Sequence, residues 1–186
     1  MSSADLTETT LDSTRVYEGR LLKINKDRVR LPDGAESTRE YTVHPGAVAI
    51  IALLPDGKLV LERQFRYPLR RIFIELPAGK IDPGEDPLAS AQRELKEETG
   101  YTANLWRHVT TIHPVISYSD ERIEIYLAQE LTLAGRKLDP GEFLEVFTAT
   151  PAEALTWVRE GKITDVKTTI GLFWLDKTAR GEWAWD

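Results

Sequence analysis

The sequence predicts an α+β fold in which helices pack against a sheet, and three observations carry that expectation. Strand-like and helix-like segments follow one another as strands, helix, strands and helices, the order of a layered domain. Val48 to Leu54 is a near-continuous apolar run closed by the turn signal Pro55-Asp56-Gly57, as a buried strand of a hairpin requires. Asp86 to Gly100 carries both end signals of a helix: an N-cap candidate, Pro87 at the first helical position, and a glycine where a left-handed C-terminal cap falls.

In chain order, residues 1–14 hold Ser, Thr, Asp and Glu with only two leucines and read as a disordered tail. Residues 15–45 read as a β meander. Val16 to Asn25 and Lys26 to Leu31 alternate apolar and polar side chains, and Pro32-Asp33-Gly34 turns the chain towards Arg39 to His44. Residues 46–186 form the main domain. Its hairpin pairs Val48 to Leu54 with Lys58 to Tyr67, and Phe73 to Leu76 adds a short strand before a loop punctuated by Pro77, Gly79, Pro83 and Gly84. On the helix that follows, Leu88, Ala91 and Leu95 make one apolar stripe. Strands are expected at Leu105 to Ile112, Ile123 to Gln129 and Leu144 to Thr148. Pro151 opens a short helix to Glu160, and Asp165 to Arg180 reads as a last helix with Ile170, Phe173 and Trp174 on one side.

Composition narrows the function. The 24 Lys and Arg against 30 Asp and Glu give a net charge of −6, which disfavours generic binding to nucleic acid; an anionic ligand must meet local cations or a bound metal. The longest apolar stretch, Ala47 to Leu54, falls well short of the roughly 20 residues a membrane-spanning helix needs, so no membrane partner is expected. The N-terminus lacks the positive start and apolar centre of a secretory signal, and a cytoplasmic location is expected. Having no cysteine excludes disulfides, thiolate metal sites and a cysteine nucleophile, and three histidines leave little room for zinc.

Chemistry concentrates on the helix at 86–100. Glu94, Glu97 and Glu98 stand at i, i+3 and i+4, so three carboxylates share one face and repel one another. A solvated acidic face is the bland account of such a cluster. A hard divalent cation would reverse the sign of the interaction, and an all-oxygen ligand set suits Mg²⁺ or Mn²⁺.

Residues 79–101, GKIDPGEDPLASAQRELKEETGY, fit every constrained position of the Nudix box: Gly79, Glu85, Arg93, Glu94, Leu95, Glu97, Glu98, Gly100 and Tyr101. At ordinary residue frequencies such a coincidence at a given start has a chance on the order of one in 10⁸. The chain therefore resembles the Nudix hydrolase family, which implies an α/β/α sandwich with a mixed central sheet. The resemblance makes Glu94, Glu97 and Glu98 metal ligands, with the carbonyl of Ala78 as a further one. It gives Gly79, Glu85 and Arg93 structural roles, Glu85 pairing with Arg93 to hold loop against helix.

Three further segments resemble the ADP-ribose pyrophosphatase branch of that family: Arg39-Glu40 leading to His44 to Val48; Glu62 to Tyr67 followed by Glu75 to Gly79; and Gly141 to Val146. The resemblance implies a nucleoside diphosphate sugar substrate. It casts Arg66 as a phosphate or ribose contact, Glu142 as general base or water-orienting group ahead of Glu145, and Glu121 as an acidic group that helps hold substrate or metal. Val115-Ile116-Ser117-Tyr118 departs from that branch's Gly-containing turn. Tyr41, with Tyr17 and Phe65, could stack an adenine, although a core role competes for each. Members of this branch form dimers through N-terminal strands, and residues 15–45 are too poor in apolar side chains to be self-sufficient, so a homodimer is expected. Other readings are a Nudix hydrolase for another nucleotide sugar, a dinucleoside polyphosphate or a nucleoside triphosphate, and a non-catalytic nucleotide-sensing module.

Overall fold

The computed structural model describes residues 5–138, 141 and 143–184, which fall into two compact units, Met1–Pro45 with Val115–Arg122 and Gly46–Pro114 with Ile123–Asp186. In the first unit, β1 (Thr9–Glu18), β2 (Lys23–Arg30) and β3 (Glu36–Thr42) form an antiparallel sheet in that order. β1 corrects the expectation of a tail, because residues 9–14 are already strand. Its side chains are nearly all exposed, so burial does not hold it. The ladder to β2 and cross-strand ion pairs such as Arg28 with Asp12 do, which composition does not register. The stretch Val16 to Asn25 is likewise broken, by a turn in which the Gly19 N–H donates to the Leu22 carbonyl. Val115–Arg122 joins this unit, with the Thr42 N–H donating to the Tyr118 carbonyl.

The second unit holds a seven-stranded mixed sheet in the order β10-β5-β4-β9-β8, with β6 paired to β5 and β7 to β4. These strands are β4 (Ala47–Leu53), β5 (Leu59–Arg66), β6 (Arg71–Glu75), β7 (Ala78–Lys80), β8 (Tyr101–Ile112), β9 (Ile123–Leu133) and β10 (Leu144–Ala149). β4 runs parallel to β9 and every other pairing is antiparallel. Val48 to Ala52 are wholly buried because both faces of β4 are covered. On one face Val48, Ile50 and Val60 pack with Ala91 and Leu95 of α1 (Pro87–Glu94) and its extension. On the other, Ile51, Leu59, Leu61 and Leu76 pack with Ala154 of α2 (Pro151–Arg159) and with Leu172 and Leu175 of α3 (Val166–Ala179). The α/β/α layering and the mixed sheet are thus as expected.

Each helix starts on a side-chain cap: Asp86 accepts from the N–H groups of Leu88 and Ala89, Thr150 forms a capping box with Glu153, and Asp165 accepts from Thr168. α1 does not end at Glu94. It continues through a π-helical turn, Leu95–Thr99, to Gly100, whose φ of 79° closes it. Of the side chains grouped on one side of α3, Ile170 packs on the core and Phe173 is 45% exposed; the buried face is made by Thr168, Gly171, Leu172 and Leu175. Gly171 sets that face, since a Cβ there would lie 2.7 Å from Leu76 Cδ1 and 3.3 Å from Ile51 Cγ1, and only a bare backbone fits so close to the sheet. No helix among the described residues is long and apolar enough to cross a membrane.

The hydroxyl of Thr168, fully buried, accepts from the Leu76 N–H at 2.9 Å and so ties α3 to the chain entering β7. Thr168→Val keeps the shape but orphans that N–H. It is expected to lower unfolding stability by about 1–3 kcal/mol, measured by urea denaturation.

Candidate functional site

β7, the loop after it and the α1–π helix bring seven of the sequence-predicted residues together. Gly79 in β7 lies against Glu94: a Cβ on Gly79 would stand 1.9 Å from Cδ of Glu94, so any side chain there would evict the carboxylate. Its neighbour Ala78 donates its N–H to Oε2 of Glu98 at 2.9 Å, and Glu98 is only 3% exposed. Glu94 directly precedes the π turn, and Glu97 and Glu98 lie within it.

Arg93 fastens this assembly. Its Nε and Nη2 donate to the two oxygens of Glu85 at 3.1 and 2.9 Å, a bidentate pair of the kind expected, and Nη2 also reaches the Lys80 carbonyl at 3.2 Å. Nη1 donates to Glu94 at 2.7 Å and to Glu97 at 3.1 Å. One guanidinium therefore answers three carboxylates. Its own pKa is raised, first by the hydrogen bonds of Glu85 and then by those of Glu94 and Glu97, with partial burial opposing. The hydrogen bonds of Arg93, followed by that of the Ser90 hydroxyl, pull Glu85 down from 4.5 to about 2.

The donor set of Glu94, Glu97, Glu98 and the Ala78 carbonyl is entirely hard oxygen, and Gly79 gives it a seat without a side chain in the way. These residues fit a divalent cation. Among the described residues no three acidic or imidazole side chains converge as a cation would draw them, because Arg93 holds Glu94 and Glu97 while Glu98 turns to a backbone N–H.

The remaining predicted residues stand on other segments of the chain. Arg66, at the end of β5, donates from Nε and Nη2 to the buried carboxylate of Glu75 at 2.7 and 2.8 Å. Tyr41 and Glu121 belong to the first unit. The Tyr41 hydroxyl donates to Asp27 at 3.3 Å, and the Glu121 carboxylate stands 3.8 Å from His44 Nε2. Glu142 is outside the described residues, and Glu145 pairs with Arg63 on β5 at 3.1 Å. Tyr17 and Phe65 are exposed and so take no core role.

The sequence reading missed a polar cluster behind Arg66. Lys167, itself buried, donates to Glu75 and, at 3.0 Å, to Asp165. Burial alone would raise the Glu75 pKa, but the hydrogen bonds of Arg66 and the charge of Lys167 outweigh it and hold the group below its usual range. A signal was present: a lysine in the first turn of a helix runs against the helix dipole and needs a partner.

A profile of the NUDIX domain matches residues 43–168, and a second, described as a nucleoside diphosphate sugar hydrolase N-terminal domain, matches residues 8–42. The chain is 39% identical over 172 residues to the ADP-ribose pyrophosphatase of Bacillus subtilis (strain 168), covering 91% of this chain and 93% of that relative. It is 40% identical over 172 residues to the methanol dehydrogenase activator of Bacillus methanolicus, covering 90% and 92%. The crystal structure of an ADP compounds hydrolase superposes with a TM-score of 0.83 at 23% identity, over 95% of this chain and 96% of that one, a likeness of fold.

A carboxylate held below its ordinary pKa stabilises the folded state fully above its unfolded value of 4.5 and loses that contribution as the pH falls towards about 2. The stability lost in Glu85→Gln, read as a difference in urea midpoint from wild type, is therefore expected to be constant near neutral pH. It should shrink as the pH falls from 4.5.

Proposed function

The chain belongs to the Nudix hydrolase family, and within it we propose hydrolysis of the pyrophosphate bond of ADP-ribose, giving AMP and ribose 5-phosphate. The observation that carries the reading is the seat of the Glu94 carboxylate against Gly79, beside the Ala78 to Glu98 hydrogen bond, in a chain whose relative named ADP-ribose pyrophosphatase matches nearly end to end. Glu94, Glu97, Glu98 and the Ala78 carbonyl would hold a divalent cation, Mg²⁺ with Mn²⁺ as the alternative. Once bound, such a cation supplies a Lewis acid for phosphoryl oxygens and lowers the pKa of water.

The protein's own groups supply position and proton transfer. Arg66, with one edge fixed on Glu75, offers its other edge to a phosphate oxygen. Glu142 accepts the proton of the water that adds to phosphorus, the bridging P–O bond breaks, and the departing phosphate carries the negative charge. Tyr41 and Glu121 are the proposed contacts for the organic ends of the substrate. Arg93 has a further part, since its guanidinium holds two carboxylates that the cation would take. Pairing with Arg93 lets these acidic groups stand together before any cation arrives. The enzyme is proposed to act in the cytoplasm as a homodimer, the dimer supported by exposed Val16 and Tyr17 on the thinly packed β1 and by exposed Leu21 and Leu22 in the turn that follows it.

AMP release is expected from ADP-ribose with Mg²⁺ in preference to ADP-glucose, GDP-mannose, a dinucleoside polyphosphate and a nucleoside triphosphate. Glu98→Gln should lower kcat by about 10²-fold or more with the thermal melt retained; an active Glu98→Gln enzyme would remove Glu98 from the site, and preference for another compound would replace the substrate. Light scattering after size exclusion is expected to give about twice the 21.1 kDa chain mass, and a monomer mass would refute the dimer.

A further inference from the structure

The buried cluster at the start of α3 has no part in the roles assigned so far, yet its composition is costly. Glu75 is 3% exposed and Lys167 8% exposed, and taking both charges out of water is justified only by close pairing. Capping the helix does not require Lys167. Asp165 does that, accepting from the Thr168 N–H at 3.0 Å and from its hydroxyl at 2.6 Å. What Lys167 adds is a second cation on the carboxylate that orients Arg66: Glu75 accepts from Arg66 Nε on Oε1 and from both Arg66 Nη2 and the Lys167 ammonium on Oε2.

The electrostatic consequence is specific. A carboxylate paired with Arg66 alone would fix the guanidinium and also cancel most of its attraction for an anion. Lys167 bridges Glu75 and Asp165, so the cluster holds two cations against two carboxylates; without Lys167 the Arg66 guanidinium would face both, although the N-terminal amides of α3 offset part of the Asp165 charge. The Arg66 pKa is raised first by the hydrogen bonds of Glu75 and, to a smaller extent, by the charges of Asp165 and Glu98.

We propose that Lys167 is a positioning residue for phosphate recognition: by sharing the Glu75 carboxylate it lets that group aim Arg66 without neutralising it towards the diphosphate of the substrate. The proposal rests on the reading of Arg66 as a phosphate contact. Lys167 touches no substrate, and its effect passes through Glu75.

Two measurements test it, steady-state kinetics on ADP-ribose and calorimetric binding of ADP-ribose in EDTA, the second free of any metal-dependent turnover. Lys167→Met is expected to raise KM, and Kd in EDTA, about tenfold while kcat stays within about twofold, the pattern of lost uniform binding. Lys167→Arg, which keeps the charge, should restore both. A folded Lys167→Met enzyme with wild-type KM and Kd, or one that loses kcat alone, overturns the proposal. If Lys167→Met fails to fold, Lys167→Gln, which keeps a hydrogen-bond donor without the charge, must show the same rise in Kd; a wild-type Kd there overturns it equally. Wild-type enzyme that neither binds nor cleaves ADP-ribose would instead defeat the substrate reading, and the proposal with it.

Discussion

One guanidinium keeps a loop, a strand and a helix in register. Glu85 comes from the loop, Glu94 and Glu97 from the helix and the Lys80 carbonyl from the end of β7, and all four accept from Arg93. Carboxylates at helical spacing repel, and here the repulsion is answered from within the same turn. The arrangement is rigid for a geometric reason: a planar fork with fixed donor directions reaches several acceptors only when each stands in place. Glu85 titrates far below its usual range because the pairing is close.

The four residues Leu76 to Gly79 are gripped from both sides of the sheet. From the α1 side Glu94 occupies the place a Gly79 side chain would fill, and Glu98 takes the Ala78 N–H. From the α3 side Thr168 takes the Leu76 N–H, and Gly171 allows the helix backbone to rest on Leu76 and Ile51. The Pro77 carbonyl accepts from Ile50 of β4. A short segment with little regular structure of its own thus acquires a fixed position through partners on three different elements, and it carries the carbonyl proposed as a metal ligand.

Much of this was legible in the sequence because the signals were local. Asp86-Pro87 and Gly100 mark the helix ends, Pro55-Asp56-Gly57 marks the hairpin, and the spacing of Gly79, Glu85, Arg93 and the three glutamates marks the box. What escaped depends on partners distant in sequence. Residues 9–14 are polar apart from Leu11 and become strand through pairing with β2. The inward face of α3 is decided by how near Gly171 lets it come to Leu76. Arg66 looked available for a ligand, and nothing in its neighbourhood indicated that Lys167, about a hundred residues on, shares its carboxylate. The π turn had no local signature, since Leu95 to Thr99 are ordinary helix formers apart from the threonine.

That turn constrains how the chain can change in length. A π turn is a helix carrying one residue more than the α geometry accommodates, held by what surrounds it. Deleting a single residue between Leu95 and Thr99 would let the backbone relax into plain α-helix with Arg93 and Glu94 kept close to their places relative to β8, whereas adding one would leave a residue with no room and turn everything before it by about 100°. Shortening is thus absorbed by the backbone and felt by the side chains, since Glu97 and Glu98 stand within the turn.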